Sequence, residues 1–119
     1  MLVRYQRIAA ILLTLGIIFG LFVLGTQPFA IKLIPAPWDK LVHCGLFALL
    51  AWVMGRASGL QGKQMLIAAA IAALLVGVMD EYHQMYLPGR EPGWDDLAAD
   101  ALGIAIGVAL LAKGGIRRI

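Results

Sequence analysis

The sequence predicts an all-α membrane fold: a polytopic bundle of four transmembrane helices with both chain ends on the cytoplasmic side. Three observations carry this. Of 119 residues, 61% are hydrophobic and only 14% charged, with a mean hydropathy of +0.85, a balance outside the range of water-soluble domains. The apolar residues are gathered into four runs, residues 8–24, 41–54, 65–79 and 101–112, each bounded by charges, Gly or Pro and longer than the stretch of about 4 to 8 that makes a strand. The basic residues fall mostly on one side of this arrangement and every acid on the other.

The length allows a single domain, residues 1–119,. Its first span, about 8–25, follows Arg4 and Arg7. A signal peptide is the competing reading, with Val23 and Gly25 small enough for a cleavage site, but an apolar stretch of 17 residues uninterrupted by charge exceeds the usual signal core of about 7 to 15. The second span, about 38–55, opens on Trp38-Asp39-Lys40-Leu41, where Asp39 is placed to cap free N–H groups,. The third covers about 65–86. The fourth, about 95–112, opens on Trp94-Asp95-Asp96-Leu97, 56 residues after the second, a faint repeat that fits two helical hairpins related by an axis along the membrane normal. The connections 25–37, 55–64 and 87–93 carry Gly and Pro. Gly16, Gly20, Gly45 and Gly77 read as helix-packing positions, and Gly103 with Gly107 as a small-xxx-small strip,.

Positive residues stay on the cytoplasmic side of short loops. With the N-terminus inside, Arg4, Arg7, Arg56, Lys63, Lys113, Arg117 and Arg118 are cytoplasmic and only Lys32, Lys40 and Arg90 lie outside. The same assignment sends all seven acids (Asp39, Asp80, Glu81, Glu91, Asp95, Asp96, Asp100) and both histidines (His43, His83) toward the outer face. The basic pI near 9.4 is therefore a topology signal, and with no basic stripe interleaved with aromatics, nucleic acid is excluded as a partner. Trp38, Trp94, Tyr82 and Tyr86 fall at the outer boundary, Tyr5 and Trp52 near the inner one,. The single Cys44 cannot form an internal disulfide,.

Runs of 14, 15 and 12 residues rise only about 21, 22 and 18 Å, against a hydrocarbon core of about 30 Å. The flanking polar residues must complete those helices, and the expected extension is at the outer end, giving a polar cavity sunk into the outer third of the membrane. Helical spacing favours convergence there. Asp39 and His43 are i,i+4; Asp80, His83 and Gln84 share a face; and Asp96, Asp100, Gly103 and Gly107 lie within about 60° of one another,.

Ionisable groups within a membrane are functional candidates by default. Asp80, His83 and His43 are the candidate acid/base groups, while Asp39, Lys40, Glu81, Gln84, Arg90, Asp96 and Asp100 are the candidate binding groups,. Arg90, aimed by the Pro88-Gly89 turn,, suits bidentate binding of a phosphate. Each has a structural alternative: Asp80 paired with Lys40 or Arg90, Arg90 neutralising Asp96, Asp95 and Asp39 capping helices, His43 merely held by Asp39. No H-x-x-x-H or H-E-x-x-H pair occurs, and neither a metal nor a cofactor is predicted.

Asp39-Lys40-x-x-His43, Asp80-Glu81-x-x-Gln84, Pro88-Gly89-Arg90, Asp96, Gly103 and Gly107 together resemble the VanZ-like family of small bacterial membrane proteins, named for a determinant of teicoplanin resistance. The likeness covers residues 38–111, with two departures: Asp100 where the family typically has Asn, and Cys44 where an aromatic often follows the histidine. The resemblance implies a multi-pass protein of the bacterial inner membrane and cell envelope, with a role in glycopeptide resistance. The partner expected from the outer polar residues is a membrane lipid or lipid-linked envelope precursor, bound or modified there. The competing class is non-catalytic: an assembly partner of another membrane protein, a homo-oligomer, or a small proton-coupled transporter. Against transport, residues 8–24 contain no acid.

Overall fold

The computed structural model describes residues 2–23, 38–84 and 94–118. These form four α-helices: α1 (Leu2–Phe22), α2 (Trp38–Ala57), α3 (Gly62–Gln84) and α4 (Trp94–Arg118). Three are long and apolar enough to cross a membrane, over Arg4–Phe22, Lys40–Ala57 and Gly62–His83. At 20 residues, α2 alone rises about 30 Å, the thickness of the hydrocarbon core.

The helices outrun the apolar runs at both ends, which corrects the expectation that extension falls at the outer end alone. α1 starts at Leu2, α2 continues through Arg56, α3 starts at Gly62 and α4 runs to Arg118. Lys, Arg and Gln are good helix formers whose long stems reach a polar phase while the backbone stays helical. What stops α2 is local: the Ser58 amide makes a last helical bond to the Met54 carbonyl at 3.0 Å, the Ser58 hydroxyl then donates to the Gly55 carbonyl at 2.7 Å, and Gly59 turns the chain at φ 75°.

Glycine contacts fix the directions. A Cβ on Gly103 would overlap the Cys44 carbonyl, one on Gly107 the Ala48 carbonyl, and one on Gly55 the Leu111 side chain. Residue number rises together along both helices, so α2 and α4 run parallel and in near-backbone contact, as small residues permit. At one end of the bundle the Arg7 Nε donates to the Ala57 carbonyl at 3.1 Å; at the other the rings of Phe22 and His83 meet at 5.7 Å. α1 therefore runs antiparallel to α2 and parallel to α3.

The core is two stacked apolar layers. Met65, Ala69 and Leu111 form the one nearer the Arg7 end; Phe47, Leu50, Ala51, Ala73 and Ile104 form the next. Around them Leu12, Phe19, Leu41, Ile67, Leu75, Leu102 and Leu110 are each more than half exposed, a continuous apolar surface that suits lipid and not water. α1 is peripheral: 6% of its span is buried, against 33% for α2 and 22% for α3. It docks through Ile17, Ile18 and Leu21, roughly 120° around the helix from Gly16 and Gly20. Those two glycines, and Gly45, have nothing within 4 Å of a Cβ, so among the described residues they are not packing positions. Gly77 is one, with Phe47 and Asp100 each 3.3 Å from where its Cβ would be.

Candidate functional site

The buried stripes of three helices turn polar at the end away from Arg7. On α4 the stripe Leu111, Gly107, Ile104, Gly103 ends in Asp100; on α3 the stripe Met65, Ala69, Ala73, Gly77 ends in Asp80. Asp100 is 0% and Asp80 1% exposed, and among the described residues they are the buried polar side chains. Removing a carboxylate from water has an effective penalty of several kcal/mol even after relaxation, about the range quoted for real proteins, so both need compensation.

For Asp100 the compensation is His43. Its Nδ1 lies 3.1 Å from Asp100 Oδ1, with the His43 side chain 12% exposed. The glycine strip sets this distance: Gly103, one turn below Asp100, abuts the carbonyl of Cys44, the neighbour of His43, so the close approach of α2 and α4 delivers the pair. Gly77 on α3 leaves room for Asp100 Oδ2.

Phe47, one turn below His43, forms the floor. Its ring lies nearly parallel to the imidazole, centroids 6.3 Å apart and planes at 12°, and it is fully buried. Above it sits a polar layer drawn from three helices: His43 of α2, Asp100 of α4, and Asp80 of α3, about 60° around from Gly77 on the same face. Lys40 and Glu81, both half-buried, flank this end.

His83 takes a different place. The shared face expected for Asp80 and His83 divides: Asp80 turns into the bundle with Gly77, while His83 packs its ring against Phe22 of α1, at 50°, with Nδ1 buried and lacking a hydrogen-bond partner among the described residues. Arg90, and the side chains of Asp39, Gln84, Asp95 and Asp96, lie outside the described residues. Phe47 and Phe22 were hidden inside apolar runs; the i,i+4 spacing of His43 and Phe47 was the available signal for the floor. Among the described residues, no three His, Cys, Asp or Glu side chains gather as metal ligands.

The opposite end is basic. Arg7 straps the α2–α3 turn, its guanidinium seated over Gly59; Arg56 lies 5.2 Å from the Trp52 ring centroid, a cation–π distance; Arg4, Lys63 and Lys113 are exposed. Along the flank between α3 and α4 a groove of about 510 Å³ is lined by apolar side chains including Leu74, Ile104 and Val108; it is separate from the polar layer.

A family model described as VanZ/LLP1 matches residues 4–116. No curated protein and no solved structure matches the chain.

Proposed function

We propose, from the premise that this chain belongs to the VanZ/LLP1 family, that it is a multi-pass protein of the bacterial cytoplasmic membrane whose outer end binds, and acts by proton transfer on, a lipid-linked or cell-wall precursor, with a role in glycopeptide (teicoplanin) resistance. α4 is its fourth span and both termini are cytoplasmic. What supports the orientation is the gathering of Arg4, Arg7, Arg56 and Lys63 at one end and of the acids and histidines at the other.

The observation that carries the site is the burial of Asp80 and Asp100, with His43, above an apolar core. A purely structural bundle gains nothing from carboxylates in its interior, because well-packed apolar residues of similar volume are as stable or more so. In this reading His43 and Asp80 move protons, His83 and Glu81 border the entry, and Lys40 and Arg90 hold a phosphate, with Asp39, Gln84 and Asp96 completing the rim. The test uses the purified full chain in detergent with a polyprenyl phosphate as probe. Asp80→Asn, His43→Ala and Arg90→Ala each weaken its binding at least tenfold, and the same variants change teicoplanin sensitivity in cells. Unchanged binding and unchanged sensitivity would sink this reading.

One observation favours the competing assembly role: α1 is only 6% buried along its span, leaving most of its surface to lipid or a partner helix. A stoichiometric partner after mild solubilisation would support it, and an isolated bundle carrying bound lipid the site reading.

A further inference from the structure

We propose that Asp100 is a positioning residue: it holds the His43 imidazole with the proton on Nδ1, so that Nε2 is the atom that takes a proton from an acidic O–H of the bound ligand. This reassigns Asp100 from the ligand-holding set, and as a statement about ligand chemistry it rests on the binding reading above.

The geometry fixes the ring on two sides. Asp100 Oδ1 meets Nδ1 at 3.1 Å, and Phe47 lies beneath the ring at 12° to its plane. A carboxylate accepts hydrogen bonds and donates none, so the proton in that contact belongs to Nδ1. In a neutral imidazole the other nitrogen is then the acceptor. Asp100 is itself immobilised: it is wholly buried, backed by Gly77 of α3, and tied to α2 by the glycine contact one turn below. A surface ion pair has none of this support. An imidazole held in one tautomer by a buried carboxylate is the arrangement that acid–base sites use to keep one nitrogen aimed and to stabilise the imidazolium once it forms.

The proton balance is simple. The acidic O–H of a phosphate monoester gives its proton to the Nε2 lone pair and keeps the bonding electrons on the phosphate oxygen. His43 becomes a cation between Nδ1–H and Asp100, which stays ionised. The reverse transfer restores the neutral ring. Among the described side chains, the other titratable groups near this end are Lys40 on α2 and Asp80, Glu81, Tyr82 and His83 on α3; residues 8–22 of α1 contribute no charge.

The chain has two histidines, so the full-length His83→Ala variant, labelled with 15N-histidine in a lipid nanodisc, leaves a single imidazole whose nitrogens are read directly by NMR across a pH series. The expected result is that Nδ1 stays protonated throughout and the proton lost on raising pH leaves from Nε2. Adding Asp100→Ala then moves the neutral ring into the Nε2–H tautomer by a full exchange of the two nitrogen shifts. Loss of the Nδ1 proton first would overturn the assignment, as would a ring that stays doubly protonated until the protein unfolds, which marks a fixed ion pair. Because the unsubstituted Asp100 chain already decides this, the outcome survives a misfolded Asp100→Ala. The polyprenyl phosphate titration is a separate arm: no binding with the expected tautomer removes the ligand class and leaves the positioning role standing.

Discussion

His43 and Asp100 are 57 positions apart and meet inside the bundle, so each contributes to the other's compensation for burial. Removing one partner of such a pair is far more damaging than its net contribution suggests. His43→Ala and Asp100→Ala are each expected to lower stability, Asp100→Ala the less because no carboxylate is stranded, and His43→Ala by about 3 to 5 kcal/mol. The double variant loses less than the sum by about 0.5 to 3 kcal/mol, measured by reversible unfolding in mixed micelles; strict additivity would mean that the pair is not coupled. The interior position of Asp100 was legible, because helical phase puts it above Gly103 and Gly107. Its partner was not, because phase within one helix says nothing about rotation relative to another, and His43 was as well placed to pair with Asp39. The contact of His83 with Phe22 was hidden for a related reason: a residue about 60° from the inward direction is free to join the neighbouring helix.

Among elements, α2 and α4 form the closest pair, and the contact depends on atoms that are missing. Gly103→Leu and Gly107→Leu are expected to destabilise by at least about 1 to 3 kcal/mol, the range for overpacking, and to lower binding of the polyprenyl phosphate by prising His43 from Asp100. Gly16→Leu and Gly45→Leu, which face open space, should stay within about 0.5 kcal/mol. Thermal melts of the four variants in one detergent check the contrast, and equal losses across them would refute the packing scheme. The openings of α2 and α4 were readable, since the Trp-Asp tetrads at 38 and 94 begin both helices, and the parallel pairing of those helices is what two repeated hairpins would give. The closings were not. Apolar periodicity ends where lipid contact ends, whereas the helix ends only where a capping hydroxyl and a positive φ, at Ser58 and Gly59, break the ladder.

As a whole the molecule is a bundle with one basic and one acidic end inside an apolar girdle. Single cysteines in a Cys44→Ala background test the orientation: a cysteine at Ser58 or Lys113 is expected to resist a membrane-impermeant maleimide in intact cells, and one at Leu41 or Tyr82 to react. The reverse pattern would invert the topology. The girdle and the two poles were legible from composition and charge, because both follow from which residues lipid and water accept. The layering within was not, since it depends on how four helices divide one axis. Between the acidic layer and the basic end, the buried side chains described are apolar, beginning with the Phe47 ring and continuing through Leu50, Ala73 and Leu111. Under the function proposed above, the described side chains offer a proton held at His43 no buried ionisable relay toward the basic end. In that reading the described bundle is a cup and not a pipe, and vesicles that carry it are expected to hold an imposed pH gradient as long as empty ones; a faster collapse would favour a conducting role.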